Sequence, residues 1–158
     1  MKLTGLGEAK SATLVAALEL GRRVHRRGAE QRGLVEEPED VFELVGERLR
    51  IENQEVFEAL FLNAKNCILG KSYEVSRGGI SFCPIDPALI FREGALRNAV
   101  SVVLIHNHPS GDPHPSRDDI SLTYRIVEAG EMIGIKVLDH IIIGDGRWIS
   151  FKDSGLIE

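Results

Sequence analysis

The chain has 158 residues, 43% of them hydrophobic, and a net charge of -5 with a pI near 5.6. That length fits one compact domain with a small appendage, and the acidic balance excludes a generic polyanion binder while leaving room for a local basic cluster. Two cysteines, Cys67 and Cys83, are too few for a disulfide scaffold and form no CxxC pair, so they read as buried small apolar residues in a reducing compartment.

The segment SATLVAALEL is broken by Glu19 and runs into GRRVHRRG instead of a small-residue cleavage site, which argues against a signal peptide. No apolar run approaches a membrane span, so a cytoplasmic setting without a membrane partner is expected. Gly5-Leu6-Gly7 predicts a tight hairpin, followed by a helix with Leu14, Leu18 and Val24 on its apolar stripe. Arg22, Arg23, Arg26 and Arg27 close that helix, where cations suit the helix dipole. Residues 1–27 are therefore expected to be a helical appendage, and residues 28–38, rich in Gly, Pro and charge, a linker. Pro38 opens the next predicted helix, PEDVFELVGERLR, with Val41, Leu44, Val45 and Leu49 inward.

EVFEALFLNAKNCILGKSYEV reads as a β-hairpin turning at Asn63 to Asn66, and RGGISFCPID as a further short strand behind a Gly-Gly break. Asp86-Pro87 is an N-cap and N1 pair for a helix running to about Asn98. AVSVVLI is a continuous β-branched run and predicts a central strand buried on both faces. SRDDISLTYRIVEAGEMIG predicts a helix with Ile120, Tyr124 and Val127 on one side, and IKVLDHIIIG with RWISF a final hairpin around Asp145-Gly146. Strands and helices alternate, so the expected fold is a layered α/β domain over residues 39–158.

The central strand runs into LIHNHPSGDPHPSRDD. His106 and His108 are spaced two apart, so an extended backbone points both to one face at the carboxyl end of the strand, where α/β sheets place ligands. Ser116 N-caps the following helix and puts Asp119 in its first turn. Two imidazoles and a carboxylate suit zinc, with a fourth position left for water. The same residues also have plainer readings. Ser116-x-x-Asp119 is a capping box, the two histidines can be a hydrogen-bonded core pair, and His114 is a solvated loop residue.

His106-x-His108, seven residues, Ser116, two residues and Asp119 resemble the JAMM (MPN-type) metalloprotease signature. HNHPSGDPHPS with the downstream LDHIIIG is similar to its RadC-type branch, and GLGEAKSATLVAALELGRR to the end of that branch's helix-hairpin-helix segment. The resemblance spans nearly the whole chain. It implies a three-layer JAMM/MPN-type fold with a mixed sheet, and one zinc per chain held by His106, His108 and Asp119. It implies Glu55, at the start of EVFEALFLN, as general acid/base, and Ser116 as a donor to the oxyanion. Glu58, three residues further along the strand, falls on the opposite face. Members of this branch carry a longer N-terminal region, so residues 1–27 correspond to only part of a helix-hairpin-helix. Asp139 and His140 are a polar pair in an apolar strand, expected in a structural or supporting hydrogen-bond role.

The expected function is a zinc-dependent hydrolase of peptide or isopeptide bonds acting on a protein or peptide substrate. The alternative is a metal-dependent nuclease or DNA-repair-associated factor, with Arg22, Arg23, Arg26 and Arg27 holding phosphates. A non-catalytic scaffold is a third reading, disfavoured because every motif position is filled. The oligomeric state carries no signal in the sequence.

Overall fold

The computed structural model describes residue 7 and residues 10–21, 33–78 and 85–158. They fall into two compact units, Met1–Gly33 and Leu34–Glu158. In the first, residues 10–21 are helical (α1) and include Leu14 and Leu18. Gly5 and Leu6 of the predicted glycine hairpin, Val24, and Arg22, Arg23, Arg26 and Arg27 lie outside the described residues. So do Cys83 and the core of the strand expected around it.

The second unit begins at Leu34, inside the segment read as linker. Leu34 bridges to Cys67, and Val35 is buried beside the helix that follows. The elements run α2 (Pro38–Arg50), β1 (Val56–Leu62), β2 (Tyr73–Arg77), α3 (Pro87–Leu96), β3 (Ser101–Asn107), α4 (Arg117–Ile133), β4 (Lys136–Ile143) and β5 (Trp148–Ser150). The sheet order is β2-β1-β3-β4-β5. β3 and β4 are parallel, with α4 as their crossover, and the other neighbours are antiparallel. The sheet is therefore mixed, as expected.

Side-chain alternation builds three layers from this sheet. Phe57, Ala59 and Phe61 of β1 with Val102 and Leu104 of β3 pack against Ile90 and Phe91 of α3 and Leu122 and Ile126 of α4. Val56, Leu60 and Leu62 with Val103 and Ile105 pack against Val41, Val45 and Leu49 of α2. β3 lies between β1 and β4 and is buried along its whole length, which its run of β-branched residues suits. Glu58, on the α2 face of β1, is 3% exposed and accepts two 2.7 Å bonds from the Arg48 guanidinium. This bidentate pair ties α2 to the sheet.

Three expectations are corrected. α4 buries Asp119, Leu122, Thr123, Ile126 and Gly130, while on the side of Ile120, Tyr124 and Val127 only partial burial is seen: Val127 packs against the core and Tyr124 is 47% exposed. Cys67 is half-buried at the hairpin, not in the core. The Asn63–Asn66 turn leads first into a Leu62–Ile68 bridge, and β2 begins only at Tyr73.

Candidate metal centre

β3 points Leu104 and His106 toward the α3/α4 side, where His106 stacks on Phe57 with centroids 5.7 Å apart. The chain stays extended past Asn107, held by the bond from His108 N to the Ile143 carbonyl (2.8 Å). His108 therefore faces the same way as His106, with their Nε2 atoms 3.0 Å apart. After a Gly/Pro loop, Ser116 starts α4. Its hydroxyl accepts from Asp119 N (3.2 Å) and donates to Asp119 Oδ2 (2.6 Å), and Ser116 N donates to the same oxygen (2.7 Å). The capping box is thus formed, and it aims the rest of the carboxylate inward. Asp119 Oδ1 lies 3.2 Å from His106 Nε2, and Oδ2 lies 3.6 Å from His108 Nε2.

The donor atoms of His106, His108 and Asp119 all lie within 4.8 Å of one another, close enough to hold a metal ion. The ring chemistry fits that use. His108 Nδ1 is 2.7 Å from the Asp112 carbonyl oxygen, which only accepts. Nδ1 must carry the hydrogen, so the neutral ring presents Nε2 as a lone-pair donor toward the centre. Burial pushes the Asp119 carboxyl up, but the His106 and His108 rings beside it and the Ser116 hydroxyl hold it well below the usual carboxylate range. The same Asp119 contact raises His108 against its partial burial.

Glu55 lines one open cleft with His108, Pro109, Ser110, Ser116, Asp118 and Asp119. Its backbone is held on both sides by Asn107, whose Oδ1 accepts from Val56 N (2.8 Å) and whose Nδ2 donates to the Gln54 carbonyl (3.1 Å). The Glu55 carbonyl in turn accepts from Gly78 N (2.8 Å). Sequence reasoning missed Asn107. Its place between the two histidines, facing the other side of the strand, was the available signal.

Asp139 and His140 have separate surroundings. Asp139 Oδ1 accepts from His140 N (2.7 Å) and Lys152 N (3.0 Å), and Oδ2 accepts from Ser150 Oγ (2.6 Å), tying β4 to β5 and the C-terminal segment. Burial raises its carboxyl against those three donors. His140 is fully buried between Phe57 and Phe151, with its Nε2 2.8 Å from His106 Nδ1 and its Nδ1 2.6 Å from Thr123 Oγ1. Burial lowers His140 well below the ordinary histidine value. His114 stays outside the cluster and pairs with Asp112 at the surface (2.7 Å).

A mixed-sheet α/β domain with two histidines and an aspartate converging at the carboxyl end of its central strand defines a class of candidate metal-binding domain. Residues 35–156 match the RadC-like JAB domain, and the chain belongs to that family. It is 49% identical over 156 residues to a UPF0758 protein of Desulforamulus reducens, covering 99% of this chain and 68% of that relative. It is 44% identical to one of Bacillus pumilus (99% of this chain, 69% of the relative) and 42% identical to one of Methanosarcina mazei (100% and 69%). Among the described residues, no helix is long and apolar enough to cross a membrane.

Proposed function

We propose that the chain is a zinc-dependent hydrolase that cleaves peptide or isopeptide bonds. One observation carries this reading: His106, His108 and Asp119 turn donor atoms to one point beside Glu55 in an open cleft. His106, His108 and Asp119 would hold a zinc ion, which would supply Lewis acidity enough for water to attack near neutral pH. Glu55, on the cleft wall, takes the proton from the attacking water and returns it to the leaving nitrogen. The Ser116 hydroxyl, which donates to Asp119 Oδ2, turns toward the cleft to donate to the oxygen that gains charge on the substrate carbonyl. Asp118, also in the cleft, stays free of the ligand set.

Elemental analysis of wild type, Glu55→Gln and His106→Ala, with peptide, isopeptide and single-stranded DNA substrates side by side, tests the proposal. Wild type and Glu55→Gln are expected to hold about one zinc per chain and His106→Ala none. Glu55→Gln is expected to lose about 10²- to 10⁴-fold in turnover. Full turnover in Glu55→Gln removes it as the base, zinc retained in His106→Ala removes the ligand set, and metal-dependent cleavage of DNA alone replaces the amide substrate with a phosphodiester.

A further inference from the structure

We propose that Thr123 and His140 are positioning residues that fix which nitrogen of His106 carries its hydrogen, holding His106 Nε2 as a bare donor at the metal centre. The inference rests on the metal centre proposed above and goes beyond its three ligands. It follows from counting hydrogens along one buried chain of contacts.

Thr123 Oγ1 lies 2.6 Å from the Asp119 carbonyl oxygen, one helical turn earlier. Two oxygens that close need a hydrogen between them, and the carbonyl has none, so the threonine hydroxyl donates there. Its one hydrogen is then spent. Thr123 Oγ1 also lies 2.6 Å from His140 Nδ1, and that bond needs its hydrogen on Nδ1. His140 is 0% exposed and sits between the Phe57 and Phe151 rings, and among the described residues no carboxylate is a hydrogen-bond partner of its ring. With Nδ1 donating to Thr123 and no carboxylate bonded to it, the neutral ring offers Nε2 as a bare acceptor. That Nε2 lies 2.8 Å from His106 Nδ1, which must donate to it.

Neutral His106 is thereby left with a bare Nε2, 3.0 Å from His108 Nε2 and 3.2 Å from Asp119 Oδ1. Reversing the chain would put the hydrogen on His106 Nε2 and block it as a ligand. The chain ends on the backbone of Asp119, so it also joins two candidate ligands carried by different elements, β3 and α4. His108 needs no such relay, because the Asp112 carbonyl sets its hydrogen directly.

Two-bond ¹H–¹⁵N correlation spectra of ¹⁵N-labelled, metal-stripped protein at about pH 8, where free imidazole is neutral, report the protonated nitrogen of each ring. His106 and His140 are expected to carry the hydrogen on Nδ1. A His106 hydrogen on Nε2 in the wild type overturns the proposal, whatever any variant does. Thr123→Val removes the hydroxyl at near-constant volume. His140 then has no acceptor for Nδ1–H, its hydrogen moves to Nε2, and His106 is driven to the Nε2–H form. Zinc affinity, read by competition with a chromophoric chelator, is expected to fall about 10- to 100-fold. Thr123→Ser keeps the hydroxyl and is expected to restore both the spectrum and the affinity. Unchanged tautomers in Thr123→Val, with or without a loss of affinity, overturn the proposal. If the wild type takes up no zinc at all, the metal reading fails, and the tautomers of the metal-stripped protein still decide the relay.

Discussion

Asn107 stands between the two candidate ligands yet faces the other side of the sheet, where its side chain clasps the chain on both sides of Glu55. Asn107 is 1% exposed and its bond to Val56 N is buried, so that bond has no water as a substitute. Asn107→Ala leaves the buried Val56 N–H without its partner and removes the part-buried bond to the Gln54 carbonyl, at a cost of about 1–3 kcal/mol. Because the Asn107 side chain bonds to the chain beside Glu55 on the opposite face from the two histidines, zinc affinity is expected to hold while turnover falls. Urea unfolding, zinc titration and peptide cleavage on the one variant separate these effects. Unchanged turnover would show that Glu55 is positioned without it.

The loop that carries His108 to Ser116 is clamped at the element scale. His108 N donates to the Ile143 carbonyl, and Asp145 N to the Gly111 carbonyl (3.0 Å), so the loop lies along the β4–β5 turn. Gly144 makes this approach possible. A Cβ there would sit 2.4 Å from the Gly111 carbonyl oxygen and 2.8 Å from Pro113 Cδ. Gly144→Ala is expected to displace the loop at a cost of about 1–3 kcal/mol, and to weaken metal binding because the Asp112 carbonyl that orients His108 moves with it. Gly134, the left-handed C-cap of α4 (φ 82°), has open space around it. Gly134→Ala is expected to cost about 1–2 kcal/mol in backbone conformation alone. Unfolding and zinc titration should separate the pair: equal metal affinities in both variants would mean that the loop tolerates the displacement.

At the scale of the whole domain, the candidate ligands come from the end of β3, the loop after it and the first turn of α4, and β4 contributes His140 behind them. A metal held there bridges elements that part on unfolding, so binding is linked to folding. Zinc at about 100 times its dissociation constant is expected to add about 2.7 kcal/mol to wild-type stability. Thermal unfolding should show a raised Tm that EDTA reverses and that His106→Ala and Asp119→Ala lack. An equal rise in those variants would place the bound zinc elsewhere. The Arg48–Glu58 pair and the Asp139 contacts hold the α2 layer and the β4–β5 edge by other means, so the variants are expected to remain folded.

What the sequence determined by itself is what lies within one element. The apolar run of β3, the shared face of His106 and His108 and the Ser116–Asp119 capping box all follow from backbone periods of two and 3.6, which residue order alone encodes. The buried side of α4 was also within reach. With Asp119 turned inward, the helical period brings Leu122, Thr123, Ile126 and Gly130 inward with it, while the side of Ile120, Tyr124 and Val127 stays at the margin, with Val127 partly buried against the core. Tertiary structure alone decided the pairings between elements. Glu55 shares a cleft with His108, Asn107 clasps the residues that flank Glu55, Glu58 meets Arg48, and His140 reaches both His106 and Thr123 only once strand register is set, including the shift between Val102 and Val103 where β3 pairs with β4. Register is chosen by the sum of side-chain contacts across the sheet, and a one-residue slip reverses every face. No local stretch of the chain carries that sum.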